Sequence, residues 1–196
     1  MAESRHGGAG LRVAVIGGGP AGLYFALLLK NARPETLITV LERNRLDETF
    51  GWGVVFSDQT LENFRAADLE TCDQIVSSFA HWDDIDVHIR GQTITSSGHG
   101  FVGIGRKRLL NILQQRAREL GVRLEFRTEI EPTPDLFAAY DLVLASDGAN
   151  SKLRTAFANH FEVDIVIRPN KYIWLGADKP FEAFTFAFEQ TPHGWV

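Results

Sequence analysis

Leu11 to Ile16, "LRVAVI", is apolar at every position except Arg12 and rich in β-branched residues. The run is short and does not alternate, which predicts a strand covered on both faces. Gly17 to Gly22, "GGGPAG", breaks it. "AGLYFALLLKNA" is apolar nearly all round, the pattern of a buried helix, and Pro34 lies beyond its end. "LITVLE", Leu37 to Glu42, predicts a second buried strand. Strand, glycine turn, helix and strand in sequence make a βαβ unit, and a βαβ unit implies a parallel sheet.

The pattern then changes. "DQTLENFRAA" predicts a helix with Asp58 as its N-cap. Ile85, Val87 and Ile89 alternate with Asp84, Asp86, His88 and Arg90, and "TITSS" follows Gly91-Gln92. Period two around a glycine predicts a hairpin turning at Gly91-Gln92. "RKRLLNILQQRARELG" returns to helical spacing and stops at Gly121. "VRLEF" and "DLVLAS" have buried-strand composition, and Ser151 is placed to cap "SKLRTAFA". "EVDIVI", "KYIWLGA" and "FEAFTFAFE" read as strands, with Tyr172, Trp174, Phe184, Phe186 and Phe188 filling a sheet core.

The expected fold class is therefore α/β. A Rossmann-like βαβ domain with a parallel sheet takes residues 1–78 and 102–160. An antiparallel sheet takes 79–101 and 161–196 and is interleaved with it. A further strand begins after "TPHG" just as the chain reaches Val196. An incomplete sheet, in the N-terminal part of a longer protein, is the expectation.

Composition narrows the function classes. The 196 residues suffice for one domain and part of another, and 44% apolar with 23% charged residues is ordinary for a globular chain. Net charge is −5 without a Lys/Arg block, so the electrostatic footprint of a nucleic-acid partner is missing. "LYFALLLK" is too short to span a bilayer, and "MAESRHGGAG" lacks the apolar core of a signal peptide. The lone Cys72 excludes a disulfide framework within the chain. A cytoplasmic protein without a membrane partner is expected.

"HWDDIDVHIRG" offers two histidines and three aspartates between His81 and His88. On a strand Asp84, Asp86 and His88 share a face and Asp83 does not. No His-x-x-x-His or Cys-x-x-Cys accompanies them, so no metal site is expected. A solvated hairpin face accounts for most of the stretch. His81 and Trp82, where the strand starts, remain candidates for lining a substrate pocket.

The glycine turn carries the strongest chemistry. In Gly17-x-Gly19-x-x-Gly22, Gly17 permits the tight turn, Gly19 lets backbone approach a pyrophosphate, and Gly22 lets the helix pack on the strand. Ala21 lies inside the same turn. Glu42 ends the next strand, twenty residues after Gly22, where a carboxylate accepts hydrogen bonds from a ribose diol. Arg43 follows it and is counted with the cofactor residues. The motif alone leaves FAD and NAD open. Asp147-Gly148 supplies a second carboxylate at a strand end ahead of a helix start. A nicotinamide dehydrogenase and a non-catalytic FAD-binding module are the rival readings.

Gly17 to Gly22, Arg106-x-x-Leu109 and Asp147-Gly148-x-x-Ser151-x-x-Arg154 together resemble the group A flavoprotein monooxygenases, the single-component aromatic hydroxylases. The resemblance implies FAD as cofactor and NADH or NADPH as co-substrate. Molecular oxygen and a small aromatic molecule are the remaining implied partners. It implies that Asp147 and Gly148 serve both FAD and nicotinamide, and that Arg106 reaches the FAD ribose and pyrophosphate. It places "FGWGVVFS", with Trp52, Gly53 and Val54, beside the flavin ring, and the substrate on the antiparallel sheet. No catalytic side chain is implied, because the flavin carries the chemistry. The family's second FAD segment, a Gly-Asp motif beyond the substrate sheet, is not in these residues.

"LERNRLDETFGWGVVFSDQTLENFRAAD", "FAHWDDIDVHIRG", "SGHGFVGIGRKRLLNILQ" and "NKYIWLGADKPFEAFTF" are similar to the branch that hydroxylates benzoyl-type coenzyme A thioesters such as salicylyl-CoA. That branch implies a ring with an ortho hydroxyl or amino group. Arg168, Lys171 and Lys179 are then candidate partners for the thioester's phosphates. "GWGVV" and "NKYIW" also resemble the indole hydroxylases of violacein biosynthesis, which imply a tryptophan-derived substrate instead.

Overall fold

Val13, Ala14 and Val15 are fully buried at the centre of β1 (Arg12–Ile16) in the computed structural model, which describes residues 10–46, 48, 49 and 51–196. After β1 come α1 (Pro20–Ala32), β2 (Leu37–Glu42), β3 (Gly53–Phe56), α2 (Asp58–Ala67) and α3 (Leu69–Val76). β4 (Ala80–Trp82), β5 (Ile85–Ile89), β6 (Gln92–Ser96), β7 (Phe101–Gly105) and α4 (Arg106–Glu119) follow. Next are β8 (Arg123–Phe126), α5 (Pro134–Ala139), β9 (Leu142–Ala145), α6 (Lys152–Ala156) and α7 (Ala158–Phe161). The last elements are β10 (Phe184–Phe188), β11 (Gln190–Thr191) and β12 (Gly194–Trp195). The chain divides into two compact units: Met1–Thr49 with Leu110–Lys171, and Phe50–Leu109 with Tyr172–Val196.

The first unit holds a parallel sheet in the order β8-β2-β1-β9. Its centre is the βαβ unit expected from the sequence. α1 covers it with Gly22, Leu23, Ala26 and Leu27, which share one helix face. Val13, Val15, Leu23, Leu27 and Val40 each contribute roughly 1.5–3 kcal/mol by leaving water. Ala14, Ile16, Leu41 and Leu153 form a further buried cluster. β8 and β9 are edge strands and are only half-buried, where their composition predicted full burial. α4 ends in a Schellman motif: Gly121 takes φ +84°, its N–H donates to Arg118 and that of Val122 donates to Ala117.

The second unit is built from small sheets. β3-β7-β4 is antiparallel, and β11 pairs with β12 antiparallel. β5 pairs antiparallel with β6 and parallel with β10. The hairpin turns at Arg90-Gly91 rather than Gly91-Gln92. Both residues take positive φ, 52° and 74°, as a type I′ turn requires, and Gln92 already belongs to β6. Ser57, not Asp58, is the N-cap of α2; Asp58 opens the helix.

Two expectations fail after residue 161. "EVDIVI" and "KYIWLGA" form no strand, and Ile167 is 90% exposed. Strand propensity reports fit to a neighbouring strand, and none pairs with these segments among the described residues. The aromatic sheet core fails as well: Tyr172, Trp174, Phe186 and Phe188 are exposed, and only Phe184 is half-buried. No helix among the described residues is long and apolar enough to cross a membrane.

Candidate cofactor site

In the first unit, β1, β2 and β9 are adjacent and parallel, so their carboxyl ends deliver Gly17, Glu42 and Asp147 to one edge of one sheet. The glycine turn is shaped by its own backbone. Gly17 takes φ +107°, and a Cβ there would lie 2.4 Å from the Ser146 carbonyl oxygen. A Cβ on Gly22 would lie 2.1 Å from the Gly17 oxygen and 2.5 Å from Ser146 Oγ. Gly19 differs, because nothing stands within 4 Å of its missing Cβ. It is the N-cap of α1, where no side chain caps the helix and no acidic residue occupies the first turn. Ala21, in that first turn, is exposed.

Glu42 faces this turn. Its Oε2 accepts from the Gly18 N–H at 2.6 Å and its Oε1 from the Asn44 N–H at 2.7 Å. Each oxygen retains a second lone pair. Arg43 is exposed beside it. Asp147 Oδ2 accepts from the Lys152 N–H at 2.9 Å, at the start of α6, while Gly148 follows with φ +84°. Ser151 caps α6 by accepting from Arg154 N–H at 3.0 Å, as its position predicted. The Arg154 guanidinium donates to the Ala149 carbonyl.

The fit to a dinucleotide can be judged from what is left unpaired. Asp147 Oδ1 is buried without a hydrogen-bond partner. A buried carboxylate oxygen normally has one, and a donor group of a bound dinucleotide would supply it. An uncapped helix N-terminus behind an open glycine completes it for phosphate. The residues present fit FAD.

Beside this edge Lys152 Nζ bridges Glu129, at 2.9 Å, and Glu131. Its hydrogen bonds to Glu131 and Glu129 hold the Lys152 ammonium above its ordinary pKa. The hydrogen bond from Lys152, then its charge, holds the Glu129 carboxylate below its own.

In the second unit the remaining candidates gather around β3, β4 and β7. Gly53 pairs with Gly105 and Val54 with Ile104. The Arg106 N–H, at the start of α4, donates to the Trp52 carbonyl at 3.0 Å. Trp52 is 69% exposed, and the missing Cβ of Gly176 would sit 3.6 Å from its indole. Reciprocally, a Cβ on Gly51 would lie 3.2 Å from the Trp174 ring. Trp82 pairs with Phe101 on β7, donates its indole N–H to the Phe181 carbonyl at 2.9 Å and rests over Gly103. His81 is exposed, with Nε2 3.7 Å from Asp83.

The polar stretch around His81 is dispersed. Asp86 accepts from the Thr95 hydroxyl at 2.6 Å, and His88 Nδ1 shares a hydrogen bond with Thr93 at 2.7 Å. Those are cross-strand pairs of the hairpin. Among the described residues no group of three or more His, Cys, Asp or Glu is placed to hold a metal. Arg168, Lys171 and Lys179 are exposed, and Lys179 lies 5.3 Å from the Phe181 ring centroid.

Sequence reasoning passed over Ser146. Its one hydroxyl proton is shared between the Ile16 carbonyl, at 2.9 Å from Oγ, and the Gly17 carbonyl, at 3.2 Å. The available signal was a hydroxyl directly before Asp-Gly at a strand end.

Comparison with known proteins extends this geometry. Residues 10–158 match the FAD binding domain family model. Over 184 residues the chain is 44% identical to salicyloyl-CoA 5-hydroxylase from a Streptomyces species, covering 94% of this chain and 35% of that protein. It is 34% identical to 3-hydroxy-4-methyl-anthranilyl-(aryl-carrier protein) 5-monooxygenase from Streptosporangium sibiricum, covering 94% and 51%. Thus the chain spans about a third to a half of the length of these relatives. The tetrameric form of 2-methyl-3-hydroxypyridine-5-carboxylic acid oxygenase superposes with a TM-score of 0.64 at 22% identity, covering 76% of this chain and 43% of that one, a likeness of fold. With a glycine turn, Glu42 and Asp147 all inside the matched residues, the chain belongs to the FAD-binding domain family, and its cofactor is FAD.

Proposed function

We propose that this chain is the cofactor-binding part of a flavoprotein monooxygenase that hydroxylates an aromatic ring presented as an acyl thioester. The likeness to two named hydroxylases across nearly the whole chain carries the reading. Both names specify ring position 5 and an aromatic acyl group on a carrier, coenzyme A in one and a carrier protein in the other. Position 5 is para to position 2, which bears the hydroxyl of a salicyloyl ring and the amino group of an anthranilyl ring. An electron-donating group para to the reacting carbon favours its attack by an electrophilic oxygen. A benzoyl-type ring with an ortho hydroxyl or amino group is the substrate class that follows.

FAD, when bound, supplies electron transfer from NADH or NADPH to molecular oxygen. The chain's own residues bind and orient. In this reading Gly17, Gly19, Ala21 and Gly22 take the pyrophosphate, and Glu42, with Arg43 beside it, takes the ribose. Asp147 and Gly148 bind the next segment, Arg106 binds the phosphates, and Gly53 and Val54 lie along the flavin ring. Trp52, His81 and Trp82 contact the substrate and keep water from it. Residues 1–78 and 102–160 act as the FAD-binding part, and 79–101 with 161–196 as the substrate part. The buried, unpaired Cys72 supports a reducing, cytoplasmic setting.

The test uses the full-length protein under air with NADH. Salicylyl-CoA and 2-aminobenzoyl-CoA are run against free salicylate and a tryptophan-like indole. NADH oxidation coupled to a hydroxylated thioester is expected. Equal or better turnover of the free acid or the indole overturns the thioester assignment.

A further inference from the structure

We infer that Ser146 is a positioning residue for the dinucleotide cradle, clamping the Gly17–Gly18 peptide together with Glu42. The two side chains hold opposite ends of one peptide plane. The single hydroxyl proton of Ser146 is shared in a bifurcated bond between the Gly17 carbonyl, at 3.2 Å from Oγ, and the Ile16 carbonyl, at 2.9 Å. Glu42 Oε2 accepts from the Gly18 N–H at 2.6 Å. One clamp comes from beyond β9 and the other from the end of β2, so β1 and its turn are gripped from both flanking strands.

The glycines fit this arrangement. The place a Cβ of Gly22 would occupy lies 2.5 Å from Ser146 Oγ and 2.1 Å from the Gly17 carbonyl oxygen. Gly22 therefore leaves room for the serine contact as well as for helix packing. Ser146 also donates its backbone N–H to the Ile16 carbonyl at 2.8 Å, which fixes the base of its side chain. A peptide held at both ends does not flip. The turn enters α1 in one conformation, and the N–H groups of the first helical turn meet phosphate without reorganising first. Asp147 follows directly, so the clamp sets the distance between the glycine turn and the second carboxylate.

This inference rests on FAD occupying the glycine cradle, and the test separates the two claims. In the full-length protein, Ser146→Ala is expected to raise the Kd for FAD about three- to tenfold, the worth of one hydrogen bond. Ser146→Cys, close in size but a weak donor, guards against a packing defect and is expected to match it. Glu42→Ala should cost less affinity in the Ser146→Ala background than in the parent, because the peptide is already released at one end. With FAD removed, Ser146→Ala should speed amide hydrogen exchange at residues 17–19 while Val13 to Ile16 stay protected, a local signature that general destabilisation does not give. Unchanged Kd in both serine variants, additive losses with Glu42, or unchanged exchange at 17–19 overturns the clamp. A parent protein that retains no FAD overturns the cradle reading, and the exchange measurement still decides the clamp.

Discussion

The two units hold their candidate residues by opposite means. In the first, backbone defines the site: the missing side chains of Gly17 and Gly22 would strike carbonyl groups, and the carboxylates of Glu42 and Asp147 are oriented by backbone N–H groups. In the second, side chains define it. Gly51, Gly103 and Gly176 lie against the rings of Trp174, Trp82 and Trp52. A site walled by backbone admits one ligand shape and tolerates few substitutions. A surface made of rings can be retuned by exchanging one ring for another. Under the proposed function, that division suits a cofactor held in common and a substrate that varies.

Substitutions test how sharp that difference is. Gly17→Ala should have the largest effect. It adds strain at φ +107° and a Cβ 2.4 Å from a carbonyl that cannot step aside, costing roughly 2–4 kcal/mol in chemical denaturation of the full-length protein. A cost below about 0.5 kcal/mol would show the turn to be as adaptable as a side-chain surface. Gly103→Ala comes next. Its Cβ would lie 2.8 Å from the far end of the Trp82 indole, which can tilt at the expense of its bond to Phe181, so roughly 1–2 kcal/mol is expected, with a shift in tryptophan fluorescence. A loss equal to that of Gly17→Ala breaks the comparison.

Lys152→Met should have the smallest effect, since its ion pairs are solvent-exposed and screened. The sign with pH is fixed by the two shifts. Glu129 is held below its ordinary pKa, so its contribution is present above the carboxylate range and is lost as pH falls through the lowered value. Lys152 is held above its own, so its contribution is present below the usual lysine range and is lost as pH rises through the raised value. The Tm difference between parent and variant should be widest near neutrality and close at both extremes. A gap that persists in acid would assign it to packing of the lysine stem.

How legible each region was follows from the same contrast. Gly17, Gly19, Gly22 and Glu42 are readable because a backbone-built turn restricts residue type at fixed spacing, and β1, α1 and β2 came out as their periodicities predicted. Ser146 was harder to read: the hydroxyl before Asp-Gly is a weak signal without restricted spacing, and its partners are carbonyls 129 and 130 residues away. Segments 162–167 and 171–177 misled because β-branched and aromatic composition reports a wish for a neighbour, not the presence of one. The hairpin was legible from its alternation, yet its turn was misplaced by one residue, because Arg90 in a left-handed conformation is not a usual turn signal.

The pairing of β5 with both β6 and β10 bears on how the chain is made. β6 follows β5 after two residues, and such a hairpin closes in about 1–10 μs. β10 begins 88 residues after β6 ends (184 − 96), roughly 4–18 s of synthesis on a ribosome. For that interval the far edge of β5 is a strand without its neighbour, ready to template pairing with another nascent chain. Asp84 lies just before β5 and Arg90 just after it, so charge flanks the strand at both ends. Flanking charges of this kind disfavour pairing of an open edge with another chain before Phe184 to Phe188 arrive.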